Sequence, residues 1–173
     1  MSTASLVPDN SPPRIFVFTA SNPEAGKNID LSIRHPLQGN ILQRNLTSDD
    51  RLKLGSVKNV YAWGVVASAR NTTKWLEMNS GDWVLCQIHK QYRFIAKVLH
   101  KSKNANLARE LWGESAPNST WELIFFMDLP ASIHVPVEMV AEHLHSHYMG
   151  FTQIGEARVR RIVEEFGSVD SFI

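Results

Sequence analysis

All five tryptophans of the chain lie between Val60 and Pro130, with lysine and arginine side chains spaced among them. Aromatic faces stack flat rings, and cations beside them hold phosphates, so this mixture points to a pocket that stacks a flat ring beside a surface that holds phosphates. The cations are Arg70, Lys74, Lys97, Lys101, Lys103 and Arg109, with His100 among them. Their duller reading is a solvated surface. Trp75, Trp83 and Trp121 fall on apolar stripes or strand runs and read as core. Trp63 and Trp112 remain as candidate ring binders.

Other chemistry is poorly represented. His143, His145 and His147 alternate in "HLHSHYM", and two of them would share a helix face at metal-ligand spacing. No cysteine and no clear carboxylate set completes a site, so no metal is assigned. There is no G-x-x-x-x-G-K-[ST], G-x-S-x-G or H-E-x-x-H. The single cysteine, Cys86, sits in a strand-like run without a base, which makes it a poor nucleophile. The residues therefore point to recognition, with no catalytic group and no cofactor.

The whole chain sets bounds on this. Its 173 residues suffice for one domain, and 43% hydrophobic with 20% charged residues is an ordinary globular balance. The net charge is only +1, so any contact with nucleic acid must come from a local patch. One thiol and no secretory signal fit a cytoplasmic protein, and no apolar run approaches a membrane span. Residues 1–13 are Ser/Pro-rich and read as a disordered lead-in to a single domain over 14–173. The abrupt apolar end leads us to expect the N-terminal part of a longer protein.

The elements that must position the candidates follow from periodicity. Arg14–Thr19, Val60–Val66 and Trp121–Leu129 read as strands. Trp83–His89 and Tyr92–His100 read as a hairpin around Lys90 and Gln91. In its second arm Phe94, Ala96 and Val98 alternate against Arg93, Ile95, Lys97 and Leu99. Residues 24–57 read as loops with one short helix near Ser48–Leu54, capped by Ser48. Thr72–Met78 reads as helical turns with Trp75 and Met78 inward. Ala105–Trp112 reads as a helix stopped by Gly113. Val159, Ile162, Val163 and Phe166 mark an amphipathic helix ending at Gly167. Short helices among four or five strands predict an α+β fold built on a strongly curved mixed sheet or open barrel.

The blocks "VYAWGVV", "WLEMNSGDWVL", "FIAKVLHKSKNANLARELWG" and "TWELIFFM" resemble the EVE and YTH branch of the PUA-like superfamily. The likeness is strongest to N-terminal reading domains of McrB-like, modification-dependent restriction proteins. It implies a PUA-like sheet that accepts one extruded, modified base in an aromatic cage. The base would be methylated or hydroxymethylated cytosine, or N6-methyladenine. The partner would be double-stranded DNA, or RNA as the alternative, with a fused or partner nuclease or GTPase as effector in phage defence. By the same resemblance Trp63 matches the cage tryptophan. Tyr92 and Phe94 lie on the pocket-floor strand, Trp112 lies in the "LWG" block, and Ser21 and Asn22 sit where the base edge is contacted. Gly64 departs from the Cys or Ser that follows the cage tryptophan in YTH readers, which turns the expectation toward cytosine.

Overall fold

A computed structural model describes residues 11–145, 147 and 150–173. Most of the expected lead-in therefore lies outside the described residues. Seven strands form one mixed sheet: β1 (Ile15–Thr19), β2 (Tyr61–Val65), β3 (Trp83–Ile88), β4 (Gln91–Lys103), β5 (Leu123–Met127), β6 (Ala131–Pro136) and β7 (Phe151–Gln153). Their order is β2-β5-β4-β3-β1-β7, with β6 also paired to β4. The β1–β3 pair is parallel and the others are antiparallel. β6 and β7, which the sequence reading missed, are short or weakly apolar: β6 is largely exposed and β7 has only three residues.

The helices follow local chemistry. α1 (Pro23–Ser32) and α2 (Gly39–Asn45) occupy a region read from sequence as loops. Asn22-Pro23 looked like a turn, but it is a helix start. The Asn22 side chain accepts from the Ala25 N–H at 2.8 Å, and Pro23 takes the first helical position, where a missing N–H costs nothing. α3 (Ser48–Leu54) falls where expected. Its cap is Thr47 instead of Ser48, in a capping box with Asp50. α4 (Ala69–Glu77) buries Trp75, and Met78 just after it is also buried. α5 (Ala105–Trp112) ends at Gly113 with φ 80°. α6 (Glu156–Phe166) buries Val159 and Ile162 and is closed by Gly167, and α7 (Val169–Phe172) follows.

β4 is long enough to serve both halves of the sheet, and two irregularities bend it. Cys86 pairs with Phe94 but Gln87 pairs with Tyr92, so Arg93 is an extra residue. Val98 pairs with Met127 and His100 with Phe126, which makes Leu99 another. Each bulge increases local twist and shifts the face on which later side chains emerge. The hairpin turn is at His89 and Lys90, both at positive φ (48° and 61°), one residue earlier than expected.

Curling divides the core. Phe16, Phe18, Trp63, Trp75, Val84, Cys86, Ala96, Val98, Phe125 and Met127 fill the inside. Ile15, Val17, Leu85, Tyr92 and Ile95 face outward under Leu144, Val159 and Ile162. A third cluster joins Leu46, Leu54, Leu107 and Ala108 to Ala62, Ile124 and Phe126. Burial pushes the Cys86 thiol far above its ordinary range, so this cysteine is structural.

α3 is tied to β4 by a polar contact. His100 Nε2 lies 2.8 Å from Asp50 Oδ1, with both side chains nearly buried, and the imidazole stacks on Phe126. Burial alone would raise the Asp50 carboxyl, but bonds from His100 and Thr47 outweigh it and hold the group below its usual range. A lowered carboxyl stabilises the fold above its unfolded value near pH ~3.9, and that contribution disappears as pH falls through the lower folded value. Asp50→Asn is expected to cost roughly 1–3 kcal/mol at pH 7. Thermal melts should show the gap to wild type narrowing below about pH 4.

Candidate nucleic-acid interface

The candidate cage is built from three rings on three elements. Phe18 of β1 stacks on Trp63 of β2, with centroids 4.7 Å apart and planes 22° apart. This contact spans the curled sheet, since β1 and β2 are not neighbours in strand order. The ring of Trp112, the last residue of α5, lies 6.4 Å from that of Trp63 at 54°. Phe125 meets Phe18 edge-on, and Phe151 stacks on Phe125. Trp63 is only 6% exposed. An aromatic ring inserted between two others needs their planes about 7 Å apart, twice a carbon–carbon contact. A base can thus stack on Trp63 only if Trp112 swings aside.

Trp112 is the ring free to do so. It is half-buried, terminates its helix, and holds the body through one hydrogen bond, from Nε1 to Ser32 Oγ at 3.1 Å. Ser32 and Asn28 are polar residues on the buried face of α1. The sequence reading missed both, because it did not see this helix. Ala25, Asn28, Ile29, Ser32 and Ile33 repeat at helical spacing behind the Asn-Pro cap, and that was the available signal.

The remaining expected base-pocket residues divide. Phe94 packs on the inner cluster, with the Arg34 guanidinium 5.5 Å over its ring. It lines, with Phe18, Ile33 and Met127, a cavity of about 10 Å³, far too small for a ring. Tyr92 does not join Phe94. The extra residue Arg93 turns Tyr92 to the outer face, where it packs with Leu85, Val137 and Leu144 at 1% exposure. Ser21 and Asn22 sit exposed at the end of β1. Their acceptor oxygens are engaged, Ser21 Oγ by the His89 N–H and Asn22 Oδ1 by the Ala25 N–H.

Most of the candidate phosphate cations have partners within the chain, several of them in exposed surface pairs. Lys97 pairs with Asp170 at 2.8 Å and lies over the Trp83 ring. Lys101 Nζ donates to the carbonyls of Trp75 and Leu76, where its charge meets the negative end of α4. Burial holds its ammonium below the ordinary lysine range. Arg109 pairs with Glu114 at 3.4 Å, and Lys103 lies 4.0 Å from Glu122. Arg70 is exposed on α4. One turn on, Lys74 donates to Thr152 Oγ1 at 3.0 Å. Burial, and then the Arg70 charge, hold Lys74 low. Among the histidines, His143 pairs with Glu165 and packs against Phe166 and Phe172. No group of three or more metal-ligating side chains occurs among the described residues.

With this geometry in place, the comparisons define the class of fold. No family model matches the chain, and no curated protein matches it. Among solved structures, it is similar to the N-terminal domain of Thermococcus gammatolerans McrB bound to m5C DNA. That match has a TM-score of 0.62 at 13% identity and covers 89% of this chain and 97% of that one. Weaker matches are the Pho92 YTH domain in complex with m6A (TM-score 0.47, 14% identity, 98% and 95% covered) and the YTH domain of Zygosaccharomyces rouxii MRB1 in complex with N6-methyladenosine RNA (TM-score 0.44, 13% identity, 92% and 88% covered). The chain has the curled α+β, PUA-like fold of the McrB N-terminal domain, as the sequence resemblance implied. No helix among the described residues is long and apolar enough to cross a membrane.

The departure at Gly64 also gains a physical cause. A Cβ there would lie 2.3 Å from Trp121 O, 2.5 Å from Trp112 Cζ3 and 2.9 Å from Trp121 Cβ. Backbone occupies that space, so no side chain fits. Gly64→Ala is expected to destabilise the protein by roughly 1–3 kcal/mol or more by overpacking. It should also displace Trp112, read as a red-shifted tryptophan emission together with a lowered melting temperature.

Proposed function

We propose that this chain is a recognition domain for DNA carrying a modified base, which it takes out of the duplex and stacks on Trp63. The observation that carries the proposal is the Phe18–Trp63–Trp112 group. Phe18 stacks on a buried indole, and the tilted Trp112 ring beside it has one side-chain hydrogen bond, to Ser32, and packs against Gly64. An extruded base offers a π-face worth roughly 1–3 kcal/mol on an aromatic partner, comparable to what displacing Trp112 would cost. A modified base is the occupant favoured by the fold-level likeness to a domain described as bound to m5C DNA.

Arg70, exposed on α4, is the cation we assign to phosphate contact, with Lys74 one turn on, whose bond to Thr152 Oγ1 would be exchanged for one to a phosphate. Base extrusion explains why a reader would bury its ring-binding residue: within the helix only base edges are accessible, so a small modification is checked best outside the stack. In this reading the domain does no chemistry and directs a nuclease or GTPase, fused or separate, to marked DNA.

Fluorescence anisotropy with matched duplexes, unmodified or carrying 5-methylcytosine, 5-hydroxymethylcytosine or N6-methyladenine, tests the proposal, with single-stranded RNA as competitor. One modified duplex should bind roughly tenfold tighter than the unmodified one, since a base-specific contact of about 1.4 kcal/mol gives that ratio. Trp112→Ala removes the ring that must be displaced, so it should tighten binding of that duplex by up to about tenfold, the equivalent of about 1.4 kcal/mol. Arg70→Ala with Lys74→Ala should flatten the salt dependence. Equal affinity for all duplexes would overturn the reading, and preference for the RNA would transfer it to RNA.

A further inference from the structure

Ser32 is fully buried, and each of its side-chain bonds has a direction. Its hydroxyl donates to Asn28 O at 3.0 Å and accepts from the Trp112 indole N–H at 3.1 Å. A hydroxyl carries one proton and two lone pairs. With the proton on the helix carbonyl, Ser32 faces the indole pair as an acceptor. Trp112 fits this polarity, since an indole N–H can only donate.

Asn28 stands one turn earlier on the same face of α1. It is 5% exposed, and its side-chain amide makes no hydrogen bond among the described residues. Its amide atoms are not among the enclosed polar atoms left without a partner, so the amide reaches solvent, and it offers both a donor and an acceptor. The helix wall beside Trp63 and Trp112 thus carries an acceptor of fixed sense and an uncommitted amide.

Resting on the base-cage reading, we infer that Ser32, with Asn28 beside it, sets which bases the cage takes. The edge turned to α1 carries an exocyclic amino N–H, as in cytosine and adenine derivatives. A keto oxygen at that place, as in thymine or uracil, meets a lone pair unless the hydroxyl gives up its bond to Asn28 O. An amino group simply replaces the indole N–H when Trp112 moves away. Thymine is the sharpest contrast: it matches 5-methylcytosine in shape and methyl group, and differs at the 4-position and the adjacent ring nitrogen.

The test uses duplexes with cytosine, 5-methylcytosine, uracil or thymine opposite an abasic site, which makes extrusion equally easy for each. N6-methyladenine and hypoxanthine repeat the contrast for purines. Wild type should bind 5-methylcytosine, or N6-methyladenine in the purine pair, about tenfold tighter than its keto counterpart, the size of one lost hydrogen bond. Ser32→Ala should bring that ratio close to one. Because both probes are read on one sample, the ratio does not depend on how much of the variant is folded.

Equal binding of the amino and keto probes by wild type would overturn the inference, as would an unchanged ratio in Ser32→Ala. The methyl comparison answers the other question. An amino preference without any preference for the 5-methyl group would leave Ser32 its role and remove the reading of a methylated cytosine. No binding of any of the six probes would overturn both.

Discussion

A strand of 13 residues that hydrogen-bonds to β3, β5 and β6 cannot remain straight. β4 meets this constraint with extra residues at Arg93 and Leu99, and the sheet curls as a result. Curling brings β1 across to β2, which lets Phe18 stack on Trp63. It also sets α1 against β2 and α4 against β7. The aromatic group is therefore a product of sheet curvature more than of any local motif. A flat sheet with the same residues would set Phe18 and Trp63 strands apart.

Charge is used economically around this core. Lys101 binds the carbonyl end of α4, Arg14 reaches the Glu77 carbonyl beside it, and Arg158 holds the carbonyls of Ala141, Glu142 and Leu144. Each of these cations donates to carbonyls where an element ends, and at Trp75 O Lys101 shares the acceptor with the Met78 N–H. A chain with a net charge of +1 has few cations to spare after such uses. Among the described residues, the exposed Arg70 on α4 makes no ion pair.

Much of the architecture was legible because periodicity is a local property. The Ala105–Trp112 helix, the helix at Ser48–Leu54 and the hairpin arms all declare themselves over a few residues. The misses were of two kinds. Asn22-Pro23 has the chemistry of a turn and of a helix start, and only the apolar face that follows decides between them; Gly26 masked that face. Tyr92 failed for a deeper reason. "YRFIAKV" alternates without interruption, so nothing in it marks Arg93 as the extra residue, and the face of Tyr92 depends on pairing with β3. The candidate cations were legible as charges, but whether each is already bound depends on acceptors far along the chain, as Glu77 and Leu76 are to Arg14 and Lys101. Trp63 was legible as a candidate, whereas its tight packing against Phe18 was not.

Gly64 links two features that a sequence comparison would treat as separate. The connection from α5 to β5 lies directly on its backbone, with Trp121 and Trp112 in the space a side chain would occupy. Any side chain at position 64 would have to move the α5–β5 connection and the Trp112 ring together, so the two can change only as one unit.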